Sequence, residues 1–433
     1  MACGAGLPPH PHLAPKLPEG PSVKSDIDRL MAERNLDWIV VEGPDGFSAV
    51  NPDYLYMVNG VDLTGTVLKR RGQPAMIVYR TMERQQAAET GLVMVPRDRW
   101  SPREIWRELG DIFRAEVELR RRMYTDLEVG GRVGMYGTVK AGQSFAILAA
   151  LSQQMPNLEI VAEFEKDLFA QARLTKDPAE IERMRVVGQK TCAVVQAAVD
   201  FIGAQRADGD ALVDAQGQPI TIGHIRQLIG REIAAQGLEM PYGVIFAQGR
   251  DAGMPHASGD DAMPLRLGQA IVFDIYPREQ GGGYFHDMTR TFAIGYAPPE
   301  LREIYAHVRG AFEQVVAELE SGAPTRVYQE LVCRYFEERG HPTIDRHEGL
   351  EEGYVHGLGH GIGLDVHEDL RIQTAMDQGD IFVPGSVFTI EPGLYYPSRG
   401  YGARIEDTYY CTPDGQFESL TPFPMDLVIP LRG

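Results

Sequence analysis

The stretch Gly353–Glu368, GYVHGLGHGIGLDVHE, sets His356, His360 and His367 among Gly357, Gly359, Gly361 and Gly363. Glycine at this density weakens a helix or strand, so it predicts backbone that passes close to something bulky or charged. Imidazole is the commonest metal ligand and the commonest acid/base group near neutral pH, so three of them in one run point to a site. A solvated His/Gly loop would fit the run taken alone. The flanking sequence decides against that.

Paired carboxylates stand on both sides of it. Upstream, Gln269–Tyr276 (QAIVFDIY) is apolar and rich in β-branched residues, PREQGGG supplies turn chemistry, and Tyr284–Phe292 (YFHDMTRTF) reads as a returning strand. A turn centred near Gln280 and Gly281 sets Asp274 directly opposite Asp287. Downstream, SVFTIEPGLYY runs into Pro397-Ser398-Arg399-Gly400 and returns as YGARIEDTYY, and a turn centred on Ser398 and Arg399 sets Glu391 opposite Glu406. Opposed side chains on antiparallel strands have Cβ atoms roughly 4.5 to 5.5 Å apart, and like charges there destabilise the sheet. A chain that does this twice needs cations. Four carboxylates and one neutral imidazole carry a formal charge of about −4, which two divalent ions neutralise, and an oxygen-rich set with one nitrogen suits Mn, Fe, Co or Zn.

The elements FDIYP, GYFHDMTRTF, VHGLGHGIGLDVHE, FTIEPGLYY and GARIED, in this order, resemble the metal-binding signature of the pita-bread metallopeptidases. That group contains methionine aminopeptidase, aminopeptidase P, prolidase and creatinase-like members, and the resemblance covers roughly the last 260 residues. It implies Asp274, Asp287, His360, Glu391 and Glu406 as metal ligands, for two divalent ions with manganese first and cobalt, zinc or iron as alternatives. It further implies His256, His356, His367 and Glu391 as catalytic groups and Arg404, with His256 and His356, as substrate-binding groups. The implied reaction is hydrolysis of the bond between an N-terminal residue and proline in short proline-containing peptides, by an Xaa-Pro aminopeptidase or dipeptidase acting as a homodimer. The implied fold is a creatinase-like α/β N-terminal domain followed by a pita-bread catalytic domain with pseudo-twofold symmetry. Two departures touch the substrate pocket rather than the ligands. The usual Asp-X-Gly at the first ligand is Asp274-Ile275-Tyr276, with a longer turn before Asp287, and the proline common after His367-Glu368 is replaced by Asp369-Leu370.

The chain has 433 residues, with 43% hydrophobic and 24% charged residues, a composition typical of a globular protein of two domains. Net charge is −19, from 42 basic against 61 acidic residues, which argues against nucleic acid as a partner. No segment reaches the apolar length of a signal peptide or membrane span. Cys3, Cys192, Cys333 and Cys411 lack CxxC spacing and fit a reducing cytoplasm.

Residues 1–21 read as a flexible lead-in in which His10 and His12 are solvated. Residues 22–170 form the N-terminal domain, with strands at Asp37–Glu42, Pro74–Tyr79, Gly91–Pro96 and Arg132–Gly137 and helices at Lys24–Arg34, Trp106–Leu119 and Lys140–Gln154, hence a mixed α/β sheet. Within it Asn51–Thr64 is the candidate contributor to the substrate pocket. Residues 171–433 form the catalytic domain, opening with a helix from Pro178 to Gly203 and another over Ile222–Ala235, joined by a loop over Gln205–Pro219. A strand at Tyr242–Ala247 follows, and helices at Pro299–Leu319 and Tyr328–Arg339 precede the histidine run. His224, His286, His307, His341 and His347 have no motif around them and read as structural. The competing functions are a C–N hydrolase or lyase acting on a small nonpeptide compound, a noncatalytic interaction protein on the same fold, and a methionine aminopeptidase. The intact ligand set and the N-terminal domain argue against them.

Overall fold

A computed structural model describes residues 26–44, 51–137, 140–374 and 380–432. The expected lead-in, with His10, His12 and Cys3, lies outside them. A mixed six-stranded sheet forms first, in the order Val93–Pro96, Met76–Tyr79, Gly65–Arg70, Trp38–Glu42, Gly131–Tyr136, Leu158–Val161. The four expected strands are present, and Gly65–Arg70 and Leu158–Val161 are additional. The former ends in two cations and so reads as surface. Lys69 is buried nonetheless, because its ammonium meets the Gln73 carbonyl at 2.8 Å and the Asp28 carboxylate at 2.9 Å.

The helix expected over Trp106–Leu119 is two helices, Pro102–Leu109 and Ile112–Asp126. Gly110 closes the first at φ 62°, and Asp111 caps the second by accepting the Arg114 N–H at 2.7 Å. A Gly-Asp pair here is a stop followed by a start. Similarly, the loop expected over Gln205–Pro219 contains a hairpin of Arg206–Asp208 with Ala211–Val213, turning at Gly209 with φ 60°.

Helices Pro178–Gly203 and Ile222–Ala235 occur where expected. The first starts in a reciprocal capping box: Asp177 accepts the Glu180 N–H at 2.8 Å, and the Glu180 carboxylate accepts the Asp177 N–H at 2.8 Å. The strand expected at Tyr242–Ala247 begins later, at Ile245–Gln248, because Gly243 turns the chain at φ 82°. That strand joins Ala270–Ile275, Met288–Ile294 and Val428–Ile429 in a four-stranded sheet. Helices Pro299–Glu318 and Arg326–Glu337 lead to a five-stranded sheet of Glu368–Ile372, Gly359–Gly361, Val387–Ile390, Asp407–Cys411 and Phe417–Ser419. Two helices followed by a carboxylate-bearing sheet therefore occur twice. The halves meet at the Thr289↔Glu406 bridge.

Four apolar cores hold this arrangement, one of them around Trp38, Ile105 and Tyr124 in the six-stranded sheet and its helices; the other three build and join the rest. One lies under Pro299–Glu318 and Arg326–Glu337, and a second lies between the earlier helix pair and the four-stranded sheet. The third joins the N-terminal region to the rest, packing Tyr54, Phe169 and Met184 with Tyr284, Phe285 and Ile362. Each fully buried large apolar side chain contributes about 1.5–3 kcal/mol. The third core therefore fixes the N-terminal region against the segment that carries the histidine run.

Candidate metal centre and active site

Antiparallel pairing brings the carboxylates together, with one change from expectation. In the first sheet Asp274 pairs with Thr289 and Ile275 with Met288, and the His286 N–H donates to the Pro277 carbonyl at 3.0 Å. This register puts Tyr276 opposite Asp287. Asp274 is diagonal to Asp287 rather than directly opposite, because the turn falls one residue later, at Gly281 and Gly282, both at positive φ, with Arg278 still paired to Phe285 and the Glu279 N–H donating to the Tyr284 carbonyl at 3.1 Å. A diagonal keeps the two carboxylates in reach with less repulsion. In the second pair Ile390↔Asp407 on one side and Gly393↔Arg404 on the other run in one register, so Glu391 stands opposite Glu406 in the gap between them.

The glycines of the histidine run act as expected. A Cβ on Gly359 would lie 2.0 Å from the Thr389 carbonyl oxygen, and one on Gly361 would lie 2.2 Å from that of Asp369. His360 is thereby threaded between two strands. Gly359→Ala is expected to cost on the order of 1–3 kcal/mol by overpacking. It should also weaken metal retention by displacing His360, which urea denaturation with and without added metal will read.

The His360 ring donates from Nδ1 to the Gly361 carbonyl at 3.0 Å, which leaves the Nε2 lone pair facing Asp287 Oδ2 at 3.8 Å and Glu391 Oε1 at 3.7 Å. A lone pair facing two carboxylates is repelled unless a cation or a proton lies between them. Ligand atoms of Asp287, His360 and Glu406 all lie within 4.8 Å of one another, and Asp274 Oδ1 and Asp287 Oδ1 are buried with no hydrogen-bond partner. Orphaned buried carboxylate oxygens are costly, and the oxygen-rich donor set fits a divalent metal.

Two side chains that sequence reasoning passed over tighten the site. Thr289 donates its hydroxyl to Glu406 Oε2 at 2.8 Å. Tyr395 links two expected residues: the Arg404 Nη1–H donates to its oxygen at 2.8 Å, and its O–H donates to His356 Nε2 at 2.8 Å. His356 Nδ1–H in turn donates to the Gly357 carbonyl at 2.7 Å, so both ring nitrogens of His356 are engaged. Arg404, expected to bind substrate, here pairs with Asp274 Oδ2 at 2.5 Å and donates to the Thr289 hydroxyl at 3.0 Å and the Pro255 carbonyl at 3.3 Å. His256 follows Pro255 and is exposed, as is His367, whose ring stands edge-on to His360 at 4.4 Å between centroids. Only pairing that is distant in sequence reveals the roles of Thr289 and Tyr395.

The electrostatics are those of a crowded anionic site. Burial, then the charges of Glu406, Asp274 and Glu391, hold the Asp287 carboxyl well above its usual range, and burial with Glu391 and Asp274 does the same to Glu406. Burial pushes Glu391 up to about 8, with Arg404 opposing and Asp274 adding to the rise. Burial holds the His360 ring down to about 3 and His356 to about 4. A carboxyl raised in the fold keeps a proton that the unfolded chain has lost, so metal-free protein loses stability as pH rises from the ordinary value of 4.5 through about 8. The enclosed His286, driven down to about 3 by burial and then Arg290, has the opposite sign: its contribution is complete above 6.5 and is lost as pH falls toward 3. Above pH 6.5 only the carboxylates among these groups contribute a slope. Chelator-treated protein is expected to lose denaturant midpoint between about pH 6.5 and 8, and saturating Mn²⁺ to remove that loss. A flat metal-free profile would contradict the crowding.

Beside His367 lies a cavity of about 470 Å³ whose lining includes Asp53, Arg173, Glu368 and Arg371. Asp53, from the stretch expected to contribute to the pocket, pairs with Arg173 at 3.4 Å, and burial pushes its carboxyl up to about 6 while Arg173 opposes the rise. The aromatics of that stretch, Tyr54 and Tyr56, are in the core. The buried Glu368, next to His367, accepts from Lys176 at 2.7 Å, from Arg173 at 3.0 Å and from the Leu364 N–H at 3.0 Å.

Comparison with known proteins converges on one group. Residues 182–413 match metallopeptidase family M24. The probable dipeptidase PepE of Mycobacterium tuberculosis (strain ATCC 25618 / H37Rv) is 31% identical over 312 residues, spanning 68% of this chain and 73% of its own. The Xaa-Pro dipeptidase from Bacillus anthracis superposes with a TM-score of 0.72 at 22% identity, covering 94% of this chain and 99% of its own. The X-Pro aminopeptidase from Thermotoga maritima MSB8 gives 0.70 at 21% identity, over 92% of this chain and 99% of its own. At that identity the structural likeness establishes the fold, the pita-bread architecture expected from the motifs. Among the described residues no helix is long and apolar enough to cross a membrane.

Proposed function

The chain belongs to metallopeptidase family M24, and we propose that it hydrolyses the bond between an N-terminal residue and proline in short peptides. The observation that carries this reading is the convergence of Asp287, His360 and Glu406 beside the orphaned carboxylate oxygens of Asp274 and Asp287. The names of the relatives, Xaa-Pro dipeptidase and X-Pro aminopeptidase, support the proline specificity. Asp274, Asp287, His360, Glu391 and Glu406 would hold two divalent ions, manganese first. When bound, such ions supply Lewis acidity at the scissile carbonyl and lower the pKa of water toward about 7.

The side chains do the rest. Glu391, which bound cations would hold as a carboxylate, takes a proton from the attacking water. His367, exposed beside His360, donates to the oxyanion that develops on the scissile carbonyl. His256 and Arg404 orient the peptide, the guanidinium pairing with a carboxylate of the substrate in competition with Asp274. His356, with both nitrogens engaged, acts as a positioning residue that holds Tyr395 and through it Arg404.

The division into an N-terminal α/β domain over 22–170 and a catalytic domain over 171–433 belongs to the same reading, as does a homodimer in a reducing cytoplasm. The described cysteines Cys192, Cys333 and Cys411 are buried and free, which supports that compartment. Exposure of Trp106, Leu109, Ile112 and Phe113 around one helix junction supports a second copy as partner, and light scattering from a monomer would contradict it. Mn²⁺-loaded enzyme given Ala-Pro and Ala-Pro-Ala side by side tests the specificity. Cleavage of the dipeptide alone identifies a dipeptidase, and cleavage of the tripeptide an aminopeptidase. If neither is cut while metal is bound, the proline reading falls and the small nonpeptide substrate replaces it.

A further inference from the structure

Tyr276 occupies a position where the family pattern has glycine, and its surroundings give it a task. The strand Ala270–Ile275 alternates faces: Ile271, Phe273 and Ile275 point into one apolar core, while Ala270 and Val272 point into another. Asp274 and Tyr276 continue the second face. The register of Ile275↔Met288 and of the His286 N–H to Pro277 carbonyl bond sets Tyr276 directly opposite Asp287, with Cβ atoms roughly 4.5 to 5.5 Å apart. The ring is half-buried.

We propose that Tyr276 is a specificity-determining residue, the wall against which the side chain of the substrate's N-terminal residue packs, and that it restricts that residue to small side chains. The proposal rests on the Xaa-Pro reading above. A peptide cleaved after its first residue presents its cationic α-amine and first carbonyl to the carboxylate cluster, so the first side chain is the part of it beside Asp287 and hence beside Tyr276. A phenol ring in place of glycine removes space there, and a mismatch of a few methylenes in such a pocket changes discrimination by tenfold or more.

The test compares kcat/KM for Ala-Pro and Phe-Pro, and binding of free Ala and Phe by calorimetry, in Mn²⁺-loaded wild type, Tyr276→Gly, Tyr276→Ala and Tyr276→Phe. Metal content is measured in each. Wild type is expected to favour Ala in both readouts, Tyr276→Gly and Tyr276→Ala to shift the Phe:Ala ratio toward Phe by at least tenfold, and Tyr276→Phe to keep the wild-type ratio. An unchanged ratio in the two small variants, an equal shift in Tyr276→Phe, or loss of metal in both small variants would overturn the proposal. Failure of every variant to cut either peptide would instead sink the Xaa-Pro reading, and the calorimetric ratio would still decide the role of Tyr276.

Discussion

Asp287→Ala is expected to leave the protein folded, unable to retain divalent metal, and without measurable peptidase activity. Asp287 is where the site's charges converge: its Oδ2 lies 3.8 Å from His360 Nε2 and its Oδ1 is buried without a partner. Glu406, Asp274 and Glu391 all raise its carboxyl. Its backbone does not depend on the carboxylate, since the Thr408 hydroxyl donates to the Asp287 carbonyl at 2.8 Å. Removing one of several crowded buried carboxylates relieves repulsion, so the metal-free variant should be at least as stable as metal-free wild type. Wild type, by contrast, gains about 2.7 kcal/mol when metal is present at a hundredfold excess over its dissociation constant. Denaturation with and without Mn²⁺, alongside metal analysis, reads both effects. Wild-type metal stoichiometry in the variant would remove Asp287 from the ligand set.

The second large effect is expected at His367, where alanine should lower the rate by about two to four orders of magnitude with metal content unchanged. Its ring touches the site only from outside, edge-on to His360, and is exposed. The loop does not rely on it for shape. The neighbouring Glu368 is clamped by Lys176 and Arg173, and Gly363 lets the chain close over the Glu368 carboxylate, since a Cβ there would lie 2.5 Å from it. A fall in kcat without a fall in bound metal or in denaturation midpoint separates lost chemistry from lost structure. Full activity in His367→Ala would exclude the residue from the mechanism.

The candidate ligands were legible because each sits in a short run whose local pattern carries its meaning: alternating apolar strands around Asp274 and Glu391, and glycines that only close backbone approach explains around His360. The second hairpin turned where expected because Pro397-Ser398-Arg399-Gly400 is self-contained, with Gly400 at φ 79°. The first turned one residue later than expected, because Gly281 and Gly282, both at positive φ, make the turn in place of Gln280 and Gly281. The break at Gly110-Asp111 and the turn at Gly209 were written in ordinary punctuation that a helix or loop reading passed over. What lay beyond the sequence was nonlocal: Tyr395 joining Arg404 to His356, Thr289 holding Glu406, and Arg173 bridging Asp53 to Glu368. Such links exist only once separate strands and helices have met.

The most direct test strips the enzyme with a chelator, returns Mn²⁺ in steps, and measures bound metal and the N-terminal alanine released from Ala-Pro and Ala-Pro-Ala in the same samples. The expected result is no free alanine without metal, and release that grows with loading and levels off at about two ions per chain. Alanine release that survives removal of the metal, or full loading with no alanine released from either peptide, would contradict the assignment.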